Sequence, residues 1–400
     1  MPPVPISGRP RIGFVWAQFG PYHTHRLAAV ARRLAGRAQL VAVELVSRSG
    51  HYDWSPAQQI PGIDSRTLFQ DRPYDSLTRR EIYGAVVESL EDCDIVVIGL
   101  SSSEPENAAM AIRLRRGGAQ VFFCSDSKAD DHKRPRWREW AKRGLLKSYN
   151  GGIIAGRRSR DYYRSLGIAA EKLHPGYDTV DTELLAGKAG ARGAQVPFAR
   201  RPFLFLGRFI WEKNLPAMLE GYARYRTKAG SQPRELVMAG AGPLEDSLKQ
   251  QARELGIADA IQWTGFLDIA ASMRELDRAL ALLLVSVSET WGLVVNEAMA
   301  LGRPVIASER IGACDLLVRH EETGLIVPHP ARPKAIAEAM LAMGADEQRW
   351  HAMCAAARDT AWLGDVERFA DTIELLVDPH AQPARTDQGR LLAQFDPERG

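Results

Sequence analysis

Two carboxylates eight residues apart, Glu289 and Glu297, lie in the stretch SETWGLVVNEAMALGRPVIAS at 288–308. An apolar run ends at Val287, and Gly292 stands where a helix would open. A helix that begins where a buried parallel strand ends presents N–H groups without intrahelical partners and the positive end of its dipole, a setting suited to a phosphate. Gly292 has no Cβ at a point where a ligand must come close. Carboxylates flanking it can accept hydrogen bonds from sugar hydroxyls while the amides between them hold the phosphate. The plainer account is that two acids near a helix start satisfy its dipole. A second segment, FLFLGRFIWEKN at 203–214, ends a strand at Gly207 and then offers Arg208 and Lys213. Two cations there can neutralise a diphosphate, the guanidinium as a two-pronged donor and the ammonium as a point charge. A solvated loop is the alternative. A third, MAGAGPLEDSLK at 238–249, puts Gly240, Gly242, Pro243 and Leu244 in a glycine turn between strand and helix, a signal too common to decide anything alone.

The elements needed to position these groups follow a βαβ rhythm. In the first half, strands are expected near 12–17, 39–46, 94–100, 119–124 and 153–155, with helices near 23–34, 105–116 and 158–166. Short, continuous apolar runs such as IGFVWA indicate parallel strands covered on both faces. The pattern lapses at about 175–201, where Gly, Ala and Pro dominate, and this reads as a linker. It restarts with strands near 203–207, 235–239, 260–264, 281–287 and 304–308. Helices follow near 215–228, 243–255, 269–276, 293–301 and 333–343. The expected organisation is an N-terminal Rossmann-like domain over 1–200, a C-terminal one over 202–364, a helix over 365–378 and a polar tail over 379–400. The fold class is α/β with two doubly wound domains.

Composition bounds the rest. Four hundred residues suit two domains, and 45% hydrophobic with 25% charged residues is ordinary for globular chains. The net charge of +3 hides an asymmetry: residues 1–200 hold 30 Lys+Arg against 21 Asp+Glu, and residues 201–400 hold 22 against 28. A basic first half favours an anionic partner surface. Cys93, Cys124, Cys314 and Cys354 are scattered, so neither a zinc site nor a disulfide framework is indicated, and a reducing cytoplasm is expected. No signal core or 18-residue apolar run is present. The first strand is followed by AQFGPY rather than a GxGxxG turn, which argues against a dinucleotide-dependent dehydrogenase.

Taken together, the segments resemble glycosyltransferase family 4 within the GT-B fold, over about 11–377 and most densely over 203–328. The motifs that carry the likeness are G-R-x-x-x-E-K-N at 207–214, G-x-G-P-L at 240–244 with Gly265-Phe266 after the next strand, and Glu-x7-Glu at 289–297. ETGLIVPHPARPKAIAEAM at 322–340 and PGYDTVD at 175–181 add to it. The resemblance implies a retaining transfer from a UDP- or GDP-sugar to a hydroxyl acceptor, in a cleft between the domains, with the C-terminal helix returning to the N-terminal domain. Arg208 and Lys213 would hold the donor diphosphate and stabilise the leaving group. Glu289 would bind the donor sugar and Glu297 the ribose. Trp291, Gly292, Leu293 and Val294 would give main-chain contacts. Phe266 would lie beside the base, and Gly20 would let donor and acceptor approach. No metal or other cofactor is implied, since two cations and a helix start oppose the diphosphate. Bacterial polysaccharide or glycolipid assembly is the implied setting. One departure stands out: where many members carry a histidine after the strand that corresponds to 119–124, this chain has Cys124-Ser125-Asp126-Ser127, so Ser125 or Asp126 replaces that sugar contact or it is lost. His23, just past Gly20, is a further candidate contact. Alternatives are a nucleotide-sugar 2-epimerase of the same fold and a non-catalytic nucleotide-sugar binding protein.

One stretch is left over. KADDHKRPRWREWAKRGLLK at 128–147 has eight basic residues, three acids, Trp137 and Trp140. On a helix this suits peripheral contact with an anionic membrane, or a phosphorylated acceptor, or a solvated helix with its tryptophans turned inward. Nucleic acid is disfavoured, because no DNA or RNA module accompanies the charge.

Overall fold

The computed structural model describes residues 8–47, 59–131, 134–190, 196–381 and 395. The chain divides into two compact units. One comprises Met1–Ala129, Lys133–Thr179 and Val366–Gly400, and the other Asp130–His132 and Val180–Asp365.

The first unit runs β1 (Arg11–Trp16), α1 (Pro21–Arg33), β2 (Gln39–Glu44), β3 (Asp64–Thr67), α2 (Arg79–Leu90), β4 (Ile95–Ile98), α3 (Pro105–Arg116), β5 (Gln120–Ser125), α4 (Arg136–Leu146), β6 (Gly151–Ile154), α5 (Arg157–Ser165) and β7 (Leu173–His174). All seven strands are parallel, in the order β3-β2-β1-β4-β5-β6-β7. Alternation along each strand separates two cores. Val15, Val43, Val96, Ile98, Val121 and Phe123 face one side with α2, α3 and α5. Ile12, Phe14, Trp16, Ala42, Val97 and Phe122 face the other, with Leu27 and Val30 of α1.

The second unit runs α6 (Thr182–Ala189), β8 (Phe203–Leu206), α7 (Leu215–Lys228), β9 (Leu236–Ala239), α8 (Glu245–Glu254), β10 (Ile261–Gly265), α9 (Ile269–Arg278), β11 (Ala281–Leu284), α10 (Leu293–Ala300), β12 (Val305–Ser308), β13 (Gly324–Val327), α11 (Pro333–Gly344) and α12 (Glu347–Thr360). Its six parallel strands follow the order β10-β9-β8-β11-β12-β13. β8 and β11 sit where the strand order reverses, and their pairing covers only Phe203↔Ala281 and Leu204↔Leu282. The space outside the strand ends at such a reversal is where open α/β sheets bind ligands.

The last helix, α13 (Val366–Val377), belongs to the first unit. Phe369, Ala370 and Ile373 are fully buried against the face carrying Phe14 and Trp16. Arg33 of α1 pairs with Glu367, Asp371 and Glu374 of α13.

The sequence reading needs three corrections. The stretch read as a linker at 175–201 contains α6, started by Asp181, whose carboxylate accepts from the Leu184 N–H at 2.9 Å. Because α6 packs on α9 and α10, the units divide between 179 and 180 rather than near 200. The tail beyond 378 is not uniformly loose and polar: Phe395 is 2% exposed in the first unit's core, where its carbonyl accepts from Arg160. Several elements went unread. β3 (DSRT) has no apolar residue because it is an edge strand with half-exposed sides. α2 was signalled by a capping box, in which Glu81 accepts from the Thr78 N–H at 2.9 Å and Thr78 accepts from the Glu81 N–H at 3.3 Å.

If α13 is part of the first unit's core, Phe369→Ala costs about 3–5 kcal/mol of its stability, the usual range for emptying a fully buried aromatic site. Urea unfolding at equilibrium measures this, and a change below about 1 kcal/mol would contradict it.

Candidate functional site

The loops after β8 and β11 are built around one another. Past β8, Arg208 is exposed while Phe209 is 1% exposed and wedged between the rings of Phe205 and Trp263. The Phe209 N–H donates to the Ala241 carbonyl at 2.8 Å, and the Phe209 carbonyl accepts from Leu244 at 3.1 Å. Gly240 and Gly242 permit this. A Cβ on Gly240 would lie 1.9 Å from the Gly207 carbonyl oxygen, and one on Gly242 would lie 2.6 Å from that of Phe209. The glycine turn therefore serves first to seat one strand-end loop on another.

A 3-10 turn, Trp211–Lys213, follows, then Asn214 in the left-handed region at φ 56°. Asparagine tolerates that backbone better than most residues. Its side-chain amide donates to the carbonyls of Val285 at 3.2 Å and Ala331 at 3.1 Å. The Val287 N–H donates to the Glu212 carbonyl at 2.8 Å. These bonds bring Lys213 to the β11 loop, where its ammonium forms an ion pair with Glu289. Ser286 donates to the same carboxylate oxygen at 3.3 Å. Both charged side chains are mostly enclosed, at 14% and 17% exposure.

Gly292 caps α10 at φ 97°, a backbone that side chains rarely adopt, and it turns the chain from Glu289 into the helix. The N–H groups of Leu293 and Val294 precede the intrahelical ladder, and both residues are half-buried. Glu297 lies one turn further and is 6% exposed. Trp291 is buried and donates through Nε1 to Asn296 at 2.9 Å, and Asn296 donates to the Gly364 carbonyl at 3.1 Å. Gly265 ends β10, and Phe266 follows it, 80% exposed. The second unit thus gathers Arg208, Lys213, Glu289 and the start of α10 around the two loops at the switch point, with Gly240–Leu244 braced against the first of them. Phe266 stands further along the same strand-end edge.

The remaining candidates belong to the first unit, on loops after β1 and β5. Gly20 caps α1, and its N–H donates to Nδ1 of His23 at 3.0 Å. Burial, and then the nearby Arg26, hold the His23 imidazole well below its usual pKa. His23 is therefore a neutral capping acceptor whose ring packs on Trp16 with centroids 5.1 Å apart, and Nδ1 is not available to a sugar. Ser125 accepts from the Tyr163 hydroxyl at 2.7 Å and from the Ser127 N–H at 3.2 Å. With Asp126, Ser101–Ser103, Lys142 and Tyr177 it lines a cavity of about 210 Å³ at the strand ends.

Sequence reasoning passed over the positioning role of three residues. Asn214 closes the G-R-x-x-x-E-K-N motif, but nothing in the sequence says that its amide, like that of Asn296, ties loops together. Glu44 left a signal, an acid closing the apolar strand QLVAVE. It is 4% exposed and accepts from the Phe19 N–H and the Thr67 hydroxyl at 2.8 and 2.7 Å, shaping the loop before Gly20. Burial raises its pKa.

Two doubly wound parallel units with charged groups on strand-end loops define the class, the GT-B architecture of glycosyltransferases. More particularly, residues 197–360 match the family model described as Glycosyl transferases group 1, and the chain carries a domain of that family. Among curated relatives, the α-monoglucosyldiacylglycerol synthase of Streptococcus pneumoniae is 28% identical over 186 residues, 44% of this chain and 41% of that protein. The glycogen synthase of Mycobacterium tuberculosis is 34% identical over 151 residues, 36% of each. The aligned portions are thus well under half of these relatives' own length. The fold likeness reaches further: the crystal structure of Anabaena HepE with UDP and glucose superposes with a TM-score of 0.70 at 17% identity, covering 92% of this chain and 100% of that one.

The neutral, enclosed His23 makes a pH prediction. Unfolded, it titrates near about 6.5. Folded, its pKa is lower, so the unfolded chain binds more protons below about 6.5, and stability is present above that pH and lost below it. His23→Asn keeps an acceptor for the Gly20 N–H and should flatten the stability loss between about pH 7 and pH 5 by at most about 1.4 kcal/mol per pH unit. Denaturant melts at several pH values read this out, and parallel profiles for the two proteins would refute it.

Proposed function

We propose that the protein is a retaining glycosyltransferase that moves a sugar from a UDP- or GDP-sugar to a hydroxyl acceptor in bacterial polysaccharide or glycolipid synthesis. The observation that carries this reading is the Lys213–Glu289 ion pair beside the start of α10 at the sheet's switch point. A mostly enclosed pair of this kind holds both charges in place before any ligand arrives. Lys213 then has donors left for a phosphate oxygen, and Glu289 has acceptors left for a sugar hydroxyl.

In the reaction, the acceptor hydroxyl oxygen bonds to the sugar's anomeric carbon on the face from which the diphosphate leaves. The bond from that carbon to the phosphate oxygen breaks, and the hydroxyl proton passes to the departing oxygen. Negative charge builds on the leaving diphosphate, where Arg208, Lys213 and the N–H groups of Leu293 and Val294 oppose it. Glu297 would hold the ribose hydroxyls, and Phe266 would lie beside the base. With these cations in place, the reaction is expected to proceed without a metal. That HepE was solved with UDP and glucose supports a nucleoside diphosphate in this unit.

Lys213→Ala should lower kcat/KM by about 10²–10³-fold, the usual effect of removing one stabilising contact to developing charge, and Glu297→Ala, which loses the ribose contact, should lower it chiefly by raising KM, with circular dichroism unchanged in both. A thermal-shift series with UDP, GDP and their sugars identifies the base, since a ligand of the folded state raises apparent stability. Full activity in both variants would refute the site. An epimerised sugar released from donor alone would assign an epimerase instead, and loss of activity in EDTA would overturn metal independence.

A further inference from the structure

Helix α4 is built inside out. Its inward residues are Glu139, Lys142 and Leu146. The Lys142 ammonium lies 3.4 Å from the Tyr162 hydroxyl and about 5 Å from the centres of the Tyr162 and Tyr163 rings. The Tyr162 hydroxyl donates to Glu139 at 3.2 Å. The outward residues include Trp137 and Trp140, which are 67% and 76% exposed. The expectation that the tryptophans might turn inward is thus reversed. So is the availability of all eight bases: Lys128 and Lys142 are buried, and Arg134 donates to the Tyr162 hydroxyl and the Lys128 carbonyl. Lys133 lies outside the described residues.

What remains exposed on the helix is Arg136, Arg138, Arg143 and, at its C-cap, Lys147. Glu139, the one acid between 134 and 147, is turned inward. Two large aromatic rings facing solvent, Trp137 with the Arg138 guanidinium 5.2 Å from its centre, are unfavourable for a surface that meets only water. Positions 137, 140, 144 and 147 form one stripe along the helix. That stripe runs into a cavity of about 640 Å³ bounded by Trp140, Arg143, Lys147, Arg115 and Lys172, with Leu146, Leu166 and Ile168 behind them and no acid in the lining. Arg115 donates to the Lys147 and Ser148 carbonyls at 3.1 and 3.0 Å, and Arg143 to the Ser165 carbonyl at 2.6 Å. Both guanidiniums are thereby fixed at the cavity, each with further N–H groups beyond those bonds. The cavity lies where β6 and β7 begin, the edge of this sheet opposite the loops that carry Ser125 and Asp126.

We propose that this stripe and cavity form a docking site for an anionic phospholipid bilayer, with Trp137 and Trp140 at the headgroup level and a lipid phosphate in the cavity beside Trp140. Charge complementarity selects the occupant, and tryptophan, with an apolar ring and a polar N–H, suits the boundary between headgroup and chain. No helix among the described residues is long and apolar enough to cross a membrane, so contact here would be peripheral.

The test is co-sedimentation of the full chain with vesicles of phosphatidylglycerol or of phosphatidylcholine. Two double variants, Trp137→Ala/Trp140→Ala and Arg143→Glu/Lys147→Glu, are run beside it. Wild type should sediment with phosphatidylglycerol and not with phosphatidylcholine, and each variant should bind phosphatidylglycerol at least about tenfold more weakly. Raising salt from about 0.1 to about 0.5 M should weaken wild-type binding. Wild type remaining in the supernatant, or both variants sedimenting as wild type does, would overturn the proposal. The proposal stands apart from sugar transfer: UDP binding by calorimetry, unchanged in both variants, shows that the second unit is intact whichever way the vesicle result falls.

Discussion

A lysine and a glutamate 76 residues apart in sequence meet as an enclosed ion pair, and the second unit is arranged so that they do. Taking either charge out of water alone is costly, so each must find the other or a ligand. Lys213 stands on the loop after β8 and Glu289 on the loop after β11. Only a strand order that places β8 directly beside β11 brings those loops together. Reversal of direction at that point leaves the loops without a crossing connection between them, and the space outside the strand ends stays open. Asn214 then fixes the geometry in detail: a left-handed residue turns the chain, and its amide bonds to Val285 and Ala331 on two other segments.

The legibility of this site in the sequence has a physical cause. Strands buried on both faces write continuous apolar runs, and a left-handed turn into a helix favours glycine, so β8, β11, Gly292 and the charged residues near them stand out. Element order was readable for the same reason: α3 and α7 lie at the residues expected of them. Tertiary supports were not readable. Asn296 holds Trp291 and the Gly364 carbonyl through two buried hydrogen bonds, yet an asparagine in a helix signals nothing by itself. Gly240 and Gly242 read only as a turn between strand and helix, and their missing Cβ atoms face the backbone of Gly207–Phe209. A glycine records that something comes close, not what it is.

The first unit shows where pattern reading loses force. β3 has no apolar residue to announce it, and β7 is only two residues long. His23 lies beside the Gly20 loop as a ligand contact would, but its Nδ1 caps α1, and burial keeps it neutral. In the Cys124–Ser127 stretch, which has no histidine, the Ser125 hydroxyl is bonded to Tyr163 and to the Ser127 amide. The loop's shape is thus maintained by local hydrogen bonds that a histidine would not make in the same way. With Ser101–Ser103 and Asp126 it lines a small polar cavity at the strand ends.

The division between 179 and 180 follows from which helix covers which face. A parallel sheet needs both faces covered, and on the side of Phe14 and Trp16 the helix α1 is narrower than the seven strands it shields. α13 fills that gap, with Phe369 and Ile373 against the sheet and Glu367, Asp371 and Glu374 ranged along Arg33. Three carboxylates converging on one guanidinium tie α13 to α1, and Arg32, Arg368 and Arg37 hold Glu367, Asp371 and Glu374 in turn. α6 does the converse for the second unit, packing on α9 and α10 although it lies before the first strand of that unit. Each unit's core is therefore completed by a helix from outside its own βαβ run, so a break read from composition alone falls on the wrong side of α6.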